Sequence, residues 1–430
     1  MVPFALWLSW CILKQLCLLL CLKVWTSRPA LWARRQWRRY DGALPIMHPG
    51  ELDASSLSDM VGYPVAIVGS GHIGDGKMST IARIDYVGTD NRWPRDGAVQ
   101  SVICKSSPEA SGEIIFNGLF GLNRSEGTAL LSPKSRMPRL PKVLYRHDHW
   151  TGQYIIVMEC IQGAAIPIET GLDDPAVVES VIRSVAKMHA KSLHCPSQLR
   201  NAPSWVHRFE QGAMGPLTTR MMLLAFRLMW TMNLTTTPSE ILKQRGLVEA
   251  FLDHGVAFHE FLFRWAPRLT FDSVSRLLTI TRTMPSSLTH GDLHCANIIA
   301  VSRSKMAHID WQAFAVRPVM FDLCYLLGTS VPTDLRRRHE NEWIALYYHT
   351  LKTLADPSVV DDSVTLEGLR EQMRGCSLCL LVPILAMGYL IGGNPANGQK
   401  HFNATGRRAL AFIEDHDLAG FINDVQMVGL

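Results

Sequence analysis

The chain has 430 residues, of which 47% are hydrophobic and 19% are charged. This length and composition fit a globular protein with two lobes or two domains, each large enough to bury a core. A net charge of +5 is too small to indicate nucleic-acid binding, and no stripe of interleaved aromatic and basic residues is present, so no nucleic-acid partner is expected.

Residues 1–40 contain no acidic residue and predict an anchor or targeting segment. Residues 2–22 are apolar except for Lys14 and are about long enough for one membrane helix of ~20 residues, and five arginines follow by residue 39. This basic flank would keep the rest of the chain on the cytoplasmic side. We therefore expect membrane association through residues 1–25 and a cytoplasmic location, to which the ten scattered cysteines also point. A mitochondrial transit peptide and a mistaken start codon are the alternatives.

Residues 41–160 contain the pattern of a nucleotide-binding lobe. Val65 to Gly69 predicts a strand that leads into a segment with Gly71, Gly74 and Gly76. A dinucleotide-binding loop would need a helix next, but residues 79–87 alternate like a strand. A phosphate-binding loop of the Walker type would need Ser or Thr where Met78 stands. The remaining interpretation is a kinase-type hairpin whose glycines let the backbone close over phosphates, although a plain surface turn has similar composition.

Two further features of this lobe suit nucleotide binding. Residues 98–105 predict a strand that ends in Lys105, and Glu113 begins an apolar-periodic helix eight residues later. A strand lysine can bind nucleotide phosphates while a helix glutamate holds its ammonium group. Residues 142–147 and 154–158 predict two more strands, followed by a chain crossover at which the backbone of Glu159 and Ile161 can meet an adenine ring.

Residues 203–285 are rich in aromatic and methionine side chains and contain few acids. A polycationic acceptor would need an acidic cleft, whereas a bulky apolar alcohol would need this kind of surface. The same residues would also serve as core positions of amphipathic helices. Farther on, Cys376 and Cys379 stand in an apolar run that predicts a buried helix rather than a redox site.

The most informative segment is 289–312, which contains Asp292, Asn297 and Asp310 in an order that suits phosphoryl transfer. One carboxylate can accept the proton of an attacking hydroxyl, while an amide oxygen and a second carboxylate hold Mg²⁺ against nucleotide phosphates. The apolar residues at 298–300 and 306–309 predict two short strands, the second of which delivers Asp310.

Zinc binding is an alternative for the same segment. Its candidate ligands are His290, Asp292, His294, Cys295 and His308. The segment lacks the Cys-x-x-Cys pair of thiolate-rich structural zinc sites, which disfavours this interpretation. By itself, His290 is more typical of a hydrogen-bonded structural histidine than of a ligand.

With these motifs in place, the chain resembles the aminoglycoside phosphotransferase and choline kinase-like superfamily over residues 60–400. The resemblance rests on His290-Gly291-Asp292, Asn297 and Ile309-Asp310-Trp311. Gln312 and the helix pattern at 113–116 are closest to its ecdysteroid kinase-like (CHK kinase-like) branch, although Asn117 departs from that branch's usual Tyr. The implied fold is α+β and bilobal like a protein kinase, with an antiparallel N-lobe sheet plus a helix and a mostly helical C-lobe at 161–430.

The resemblance also implies a role for each matching residue. Asp292 would be the catalytic base, Asn297 and Asp310 the Mg²⁺ ligands, and Lys105 and Glu113 an ion pair on ATP. Further implied positions are Ser79 at the end of the glycine-rich segment and Asp322 as a brace of the catalytic loop. The implied protein is a Mg-ATP-dependent kinase of a small-molecule alcohol, here predicted to be apolar, such as a steroid, terpenoid or lipid-like compound. The alternatives are a weak pseudokinase acting as a membrane-associated scaffold and a kinase of a polar acceptor such as choline or an aminoglycoside.

Overall fold

The computed structural model describes residues 49–76, 79–89, 98–107, 130, 139–148, 154–193, 284–358, 360, 364–380, 402–417 and 420. These residues fall into two compact units. The first unit lies within Met1–Leu131 and Pro141–Ile161, and the second within Ser132–Leu140 and Gln162–Leu430. The helix predicted from Glu113 and nearly all of residues 203–285 lie outside the described residues.

The first unit is an antiparallel sheet preceded by one helix. The short 3₁₀ helix Pro49–Glu51 leads to α1, Ala54–Val61, which begins where the Asp53 side chain accepts a hydrogen bond from the Ser56 N–H at 2.8 Å. The sheet has the order β1-β2-β3-β5-β4. Its strands are β1 Val65–Gly76, β2 Ser79–Gly88, β3 Gln100–Ser106, β4 Val143–Asp148 and β5 Tyr154–Glu159.

The sequence predicts a strand that ends at Gly69 and a glycine-rich turn after it. The structure places the end of this strand later. The glycine-rich segment is part of β1 as far as Gly76, which pairs with Ser79. Two register shifts, at Ile67/Gly69 and His72/Gly74, accommodate it. Glycine tolerates such bulges, so the strand continues where the sequence predicts a turn.

The core of the first unit lies between the helix and one face of the sheet. Its buried apolar residues include Leu57 of α1, Ile84 of β2, Val102 of β3 and Val157 of β5. Alternate residues of β2 are buried, at Ile84 and Tyr86. This period of two is what the sequence predicts for a half-buried strand.

The second unit combines helices with two small sheets. Its helices are α2 Pro175–Lys191, α3 Met320–Ser330, α4 Thr333–Leu354, α5 Leu366–Cys376 and α6 Arg407–Asp415. The strands are β6 Ala164–Ala165, β7 Ser286–Thr289, β8 Ile298–Ser302, β9 Lys305–His308 and β10 Ala315–Pro318. Strand β8 pairs with β6 and β9, and β7 pairs with β10.

Short helical turns join these elements. The 3₁₀ turns are Cys295–Asn297, Trp311–Ala313 and Ser377–Leu380, and Phe402–Gly406 is π-helical. The buried helix predicted near Cys376 ends at that residue and continues as the 3₁₀ turn, while residues 381–400 lie outside the described part. The core of the second unit joins α2, α3, α4 and α5.

This mixed architecture, an antiparallel sheet followed by helices, confirms the predicted α+β class. Within the described residues, no helix has both the length and the apolar character that a membrane crossing requires.

Candidate functional site

The loop after β7 places Asp292 and Asn297 side by side. The Nδ2 of Asn297 donates a hydrogen bond to the main-chain oxygen of Asp292 at 2.9 Å and lies 3.5 Å from its Oδ2. Asn297 comes back toward Asp292 because it ends the 3₁₀ turn Cys295–Asn297. The Asp292 side chain is 23% exposed, so its carboxylate remains accessible to a substrate.

Asp322, in the first turn of α3, accepts hydrogen bonds from the backbone of this loop. It is fully buried, and its two carboxylate oxygens accept hydrogen bonds from the N–H groups of His290 at 2.7 Å and Gly291 at 2.8 Å. On its other side, Asp322 Oδ2 lies 3.2 Å from Nε2 of His189, whose Nδ1 lies 2.6 Å from the Tyr347 hydroxyl. Burial alone would raise the pKa of Asp322, but the hydrogen bond from His189 and the charges and donors around it lower that pKa.

His290 links the catalytic loop to the segment that carries Asp310. Its Nε2 donates to the main-chain oxygen of Ile309 at 2.9 Å, and its Nδ1 accepts from the N–H of Asp292 at 3.3 Å. The ring packs on Trp311 with centroids 4.5 Å apart. Burial lowers the pKa of His290, so the neutral ring is favoured, with its proton on Nε2.

Asp310 follows β9 and adopts a left-handed backbone conformation, with φ 60° and ψ 65°. This conformation costs a non-glycine residue about 1–3 kcal/mol, and such strain clusters at functional sites. The preceding residue, Ile309, donates its N–H to the main-chain oxygen of Asn297 at 2.9 Å. The backbone of Asn297 is therefore joined to the residue immediately before Asp310.

The donor atoms of this pair suit Mg²⁺. Within the described residues, Asn297 makes its side-chain hydrogen bonds through Nδ2, which leaves the amide oxygen Oδ1 available to a metal ion. Amide and carboxylate oxygens are the hard ligands that Mg²⁺ prefers. For the zinc alternative, no group of three or more His, Cys, Asp and Glu side chains in the described part of the chain is arranged to hold a metal ion.

Gly291 fits its position for conformational and steric reasons. Its φ is +80°, and a Cβ there would collide with the Ala313 oxygen and with Nη1 of Arg317. That Nη1 donates to the same Ala313 oxygen at 2.6 Å. Glycine is thus required by the tight packing of the loop against the segment after Asp310.

The first unit contains the predicted nucleotide-binding residues. Lys105 is 3% exposed near the end of β3, where it pairs in register with Ile81 of β2 and Ile156 of β5. Ser79, at the start of β2, is also buried. Gly71 is exposed, and no described atom lies within 4 Å of the place a Cβ would take.

The chain crossover after β5 ends the first unit at Ile161. The N–H of Glu159 donates to the Lys142 oxygen at 2.8 Å, and its carboxylate accepts from the Lys142 N–H at 3.2 Å. The N–H of Cys160 donates to Ser101 at 3.3 Å. Ile161 is buried.

Comparison with protein families gives a match over the segment that carries the loop at 290–297. Residues 169–356 match the ecdysteroid kinase-like family. This match confirms the resemblance predicted from the motifs. It includes Asp292, Asn297, Asp310 and Asp322, whereas Lys105 and the glycine-rich strand lie outside it.

Solved structures of aminoglycoside phosphotransferases are similar over most of the chain. Spectinomycin phosphotransferase APH(9)-Ia, in complex with ADP and spectinomycin, has 14% identity over 86% of this chain and 100% of its own, with a TM-score of 0.46. An aminoglycoside phosphotransferase from Alicyclobacillus acidocaldarius has 14% identity over 89% and 99%, with a TM-score of 0.43. A putative aminoglycoside phosphotransferase from Ralstonia eutropha has 12% identity over 91% and 98%, with a TM-score of 0.44. Among curated proteins, no match was found.

Sequence reasoning missed two histidines of the ecdysteroid kinase-like segment. His189 lies near the end of α2, but its contact with Asp322 spans 133 positions of the chain. His294 drew attention only as a zinc candidate, whereas its Nε2 lies 3.2 Å from Nδ2 of Asn297. A histidine on the apolar face of an amphipathic helix was an available signal for His189.

Proposed function

We propose that this protein is a Mg-ATP-dependent small-molecule kinase that transfers the γ-phosphate of ATP to a hydroxyl of an apolar alcohol. The observation that carries the proposal is the loop at 290–297, which fixes the backbone of Asp292 while its carboxylate stays 23% exposed. The same loop joins Asn297 to the segment of Asp310.

Asp292 is placed to act as the base. Its Oδ2 lies 3.5 Å from Nδ2 of Asn297 and 3.7 Å from Nε2 of His294, and both distances are too long for a strong hydrogen bond. The carboxylate can therefore accept the proton of the acceptor's hydroxyl. As the hydroxyl oxygen bonds to the γ-phosphorus, the bond to the bridging oxygen of ATP breaks and ADP leaves.

Asn297 and Asp310 would hold Mg²⁺ through one amide and one carboxylate oxygen. A bound Mg²⁺ would neutralise charge on the phosphates during transfer. His290 supports this arrangement, because its hydrogen bonds fix both the Asp292 N–H and the Ile309 carbonyl. Because the buried His290 bonds to both segments, it holds Asp292 and the residue before Asp310 at a fixed separation.

ATP would be bound by residues of the first unit. Neither packing nor backbone conformation among the described residues requires glycine at Gly71. We explain this glycine by a phosphate group that would come close to the backbone there. Lys105 would contact the phosphates, with Glu113 as its partner, and Ser79, Gly74 and Gly76 would shape the hairpin. Backbone groups at Glu159 and Ile161 would meet the adenine.

The acceptor class follows from the sequence at 203–285, where aromatic and methionine residues outnumber acids. A steroid, terpenoid or lipid-like alcohol fits that composition better than a polycation. We place the enzyme in the cytoplasm or on the cytoplasmic face of a membrane.

The test is an incubation of purified protein with labelled ATP, Mg²⁺ and either an apolar metabolite extract or a panel containing choline and kanamycin. Mass spectrometry then identifies the phosphorylated product. We expect phosphorylation in the apolar extract. Efficient transfer to kanamycin or choline alone would replace the proposed acceptor. Nucleotide binding without turnover on any acceptor would favour the pseudokinase.

A further inference from the structure

His294 lies within the catalytic loop between the predicted base and the predicted Mg²⁺ ligand. Its side chain is 29% exposed. Nε2 is 3.2 Å from Nδ2 of Asn297 and 3.7 Å from Oδ2 of Asp292. The first of these is a hydrogen-bond distance, and the second is not.

The amide of Asn297 can be oriented by the partners of its nitrogen. Nδ2 has two hydrogens, and its two shortest contacts are the main-chain oxygen of Asp292 at 2.9 Å and Nε2 of His294 at 3.2 Å. The main-chain oxygen of Asp292 can only accept a hydrogen bond, so the amide must turn Nδ2, and not Oδ1, toward it. A ring nitrogen that accepts the second hydrogen turns Oδ1 away from both partners.

The imidazole of His294 is held in place by its own backbone and by a neighbouring ring. The main-chain N–H of His294 donates to the main-chain oxygen of Asp292 at 3.0 Å, and the main-chain oxygen of His294 accepts from the Asn297 N–H at 2.9 Å. The ring lies against Tyr325 of α3, with centroids 6.4 Å apart and planes tilted by 33°. His294 therefore contacts Asp292 and Asn297 through its backbone as well as its side chain.

We propose that His294 is a positioning residue that accepts a hydrogen bond from Asn297 and thereby aims Oδ1 at Mg²⁺. This inference rests on the proposed function. Groups that orient a metal ligand in this way are worth about 10–100-fold in metal affinity or activity. The role requires an acceptor at Nε2, so Nδ1 of the ring carries the proton.

The experiment measures Mn²⁺ binding to the full chain in the presence of ADP, with free Mn²⁺ followed by electron paramagnetic resonance. His294→Phe keeps an aromatic ring beside Tyr325 but removes the acceptor, and we expect it to weaken Mn²⁺ binding about ten-fold. His294→Gln places an amide oxygen near the former Nε2, so we expect binding within about three-fold of wild type. The matched control is His339→Phe, since His339 is 33% exposed on α4 and stacks on Trp343, and we expect it to bind as wild type does.

A thermal melt of each variant accompanies the titration, and His294→Ala replaces the Phe variant if the latter does not fold. Wild-type affinity in a folded variant that lacks the acceptor would overturn the inference, and so would equal weakening by Gln and Phe. If the wild type itself binds no Mn-ADP, the proposed function fails and the inference falls with it. If the wild type binds and the variants do not differ, only the inference fails.

Discussion

The loop at 290–297 in the second unit and the glycine-rich strand of the first are held in opposite ways. Three consecutive N–H groups of the loop, those of His290, Gly291 and Asp292, donate to side chains rather than to a strand. In the glycine-rich strand the backbone pairs with β2, and the space around Gly71 is open among the described residues. Substitution of the side chains that bond the loop backbone should therefore affect stability and activity together, whereas substitutions in the strand should affect ligand binding alone.

The largest effect is expected from Asp292→Asn. The amide keeps the size of the carboxylate but cannot accept the hydroxyl proton, so kcat should fall by about 10³-fold or more. Steady-state kinetics with an identified acceptor measure this change. Because the loop is held by Asp322 and His290, a thermal melt should show almost no change. Activity within a few-fold of wild type would remove Asp292 from the base role.

Asp322→Ala should destabilise the protein through the loop. The change leaves the N–H groups of His290 and Gly291 and the ring of His189 without their buried acceptor. Removal of one member of such a buried charged network costs about 3–5 kcal/mol. Urea unfolding measures the loss, and the exposed Asp59→Ala is the control, expected within about 0.5 kcal/mol of wild type. Equal stability of the two variants would contradict the bracing role.

Gly291→Ala tests the steric part of the same arrangement. A Cβ at φ +80° would meet the Ala313 oxygen and Arg317, and a strained residue of this kind costs about 1–3 kcal/mol. The free energy of unfolding should fall by that amount. An unchanged midpoint in urea would show that the loop can move away from Ala313, and the contrast with the glycine-rich strand would disappear.

His308 predicts a pH dependence of stability in the second unit. Burial lowers its pKa from 6.5 to about 3. Between these values the unfolded chain binds a proton that the folded chain does not, so the free energy of unfolding decreases as pH falls. From pH 6.5 to 5 the loss is about 1.5 kcal/mol. Unfolding in urea at both pH values should show that His308→Gln loses less stability than wild type, and parallel losses would mean that His308 does not contribute.

The smallest effect is expected from Gly71→Ala. A methyl group has room among the described residues, so the melting temperature should not change. If phosphate approaches the backbone there, the KM for ATP should rise about ten-fold, which is about 1.4 kcal/mol. The KM is measured at saturating acceptor. An unchanged KM would leave Gly71 without a role in binding ATP.

The sequence predicted the elements of both regions but not the way each is held. Spacing alone indicated Asp292, Asn297 and Asp310, since the motif is local and the strands at 298–302 and 305–308 lie between Asn297 and Asp310. The predicted hairpin is confirmed as the pair β1 and β2, but the position of its turn was wrong, since β1 continues to Gly76. Glycine composition does not separate a turn from a bulged strand. The left-handed backbone of Asp310 was also hidden, since a β-strand pattern does not specify the conformation of the residue that follows it.

The remaining features of the site could not be predicted because they depend on contacts between distant parts of the chain. His189 and Asp322 are 133 positions apart, so no local pattern could pair them. The contact of His294 with Asn297 depends on the 3₁₀ turn at Cys295–Asn297, whose existence follows from the packed loop rather than from a propensity. The assignments of base, Mg²⁺ ligands and nucleotide-binding residues remain predictions.

The central claim is that the loop with Asp292 catalyses phosphoryl transfer to an apolar hydroxyl. Its most direct test follows the label of [γ-³²P]ATP into organic-solvent-extractable product when the full chain is incubated with apolar extract, with Mg²⁺ or with EDTA. We expect time-dependent transfer that requires Mg²⁺. Absence of transfer despite saturating Mg-ATP and a folded protein, or transfer that is equally fast in EDTA, would contradict it.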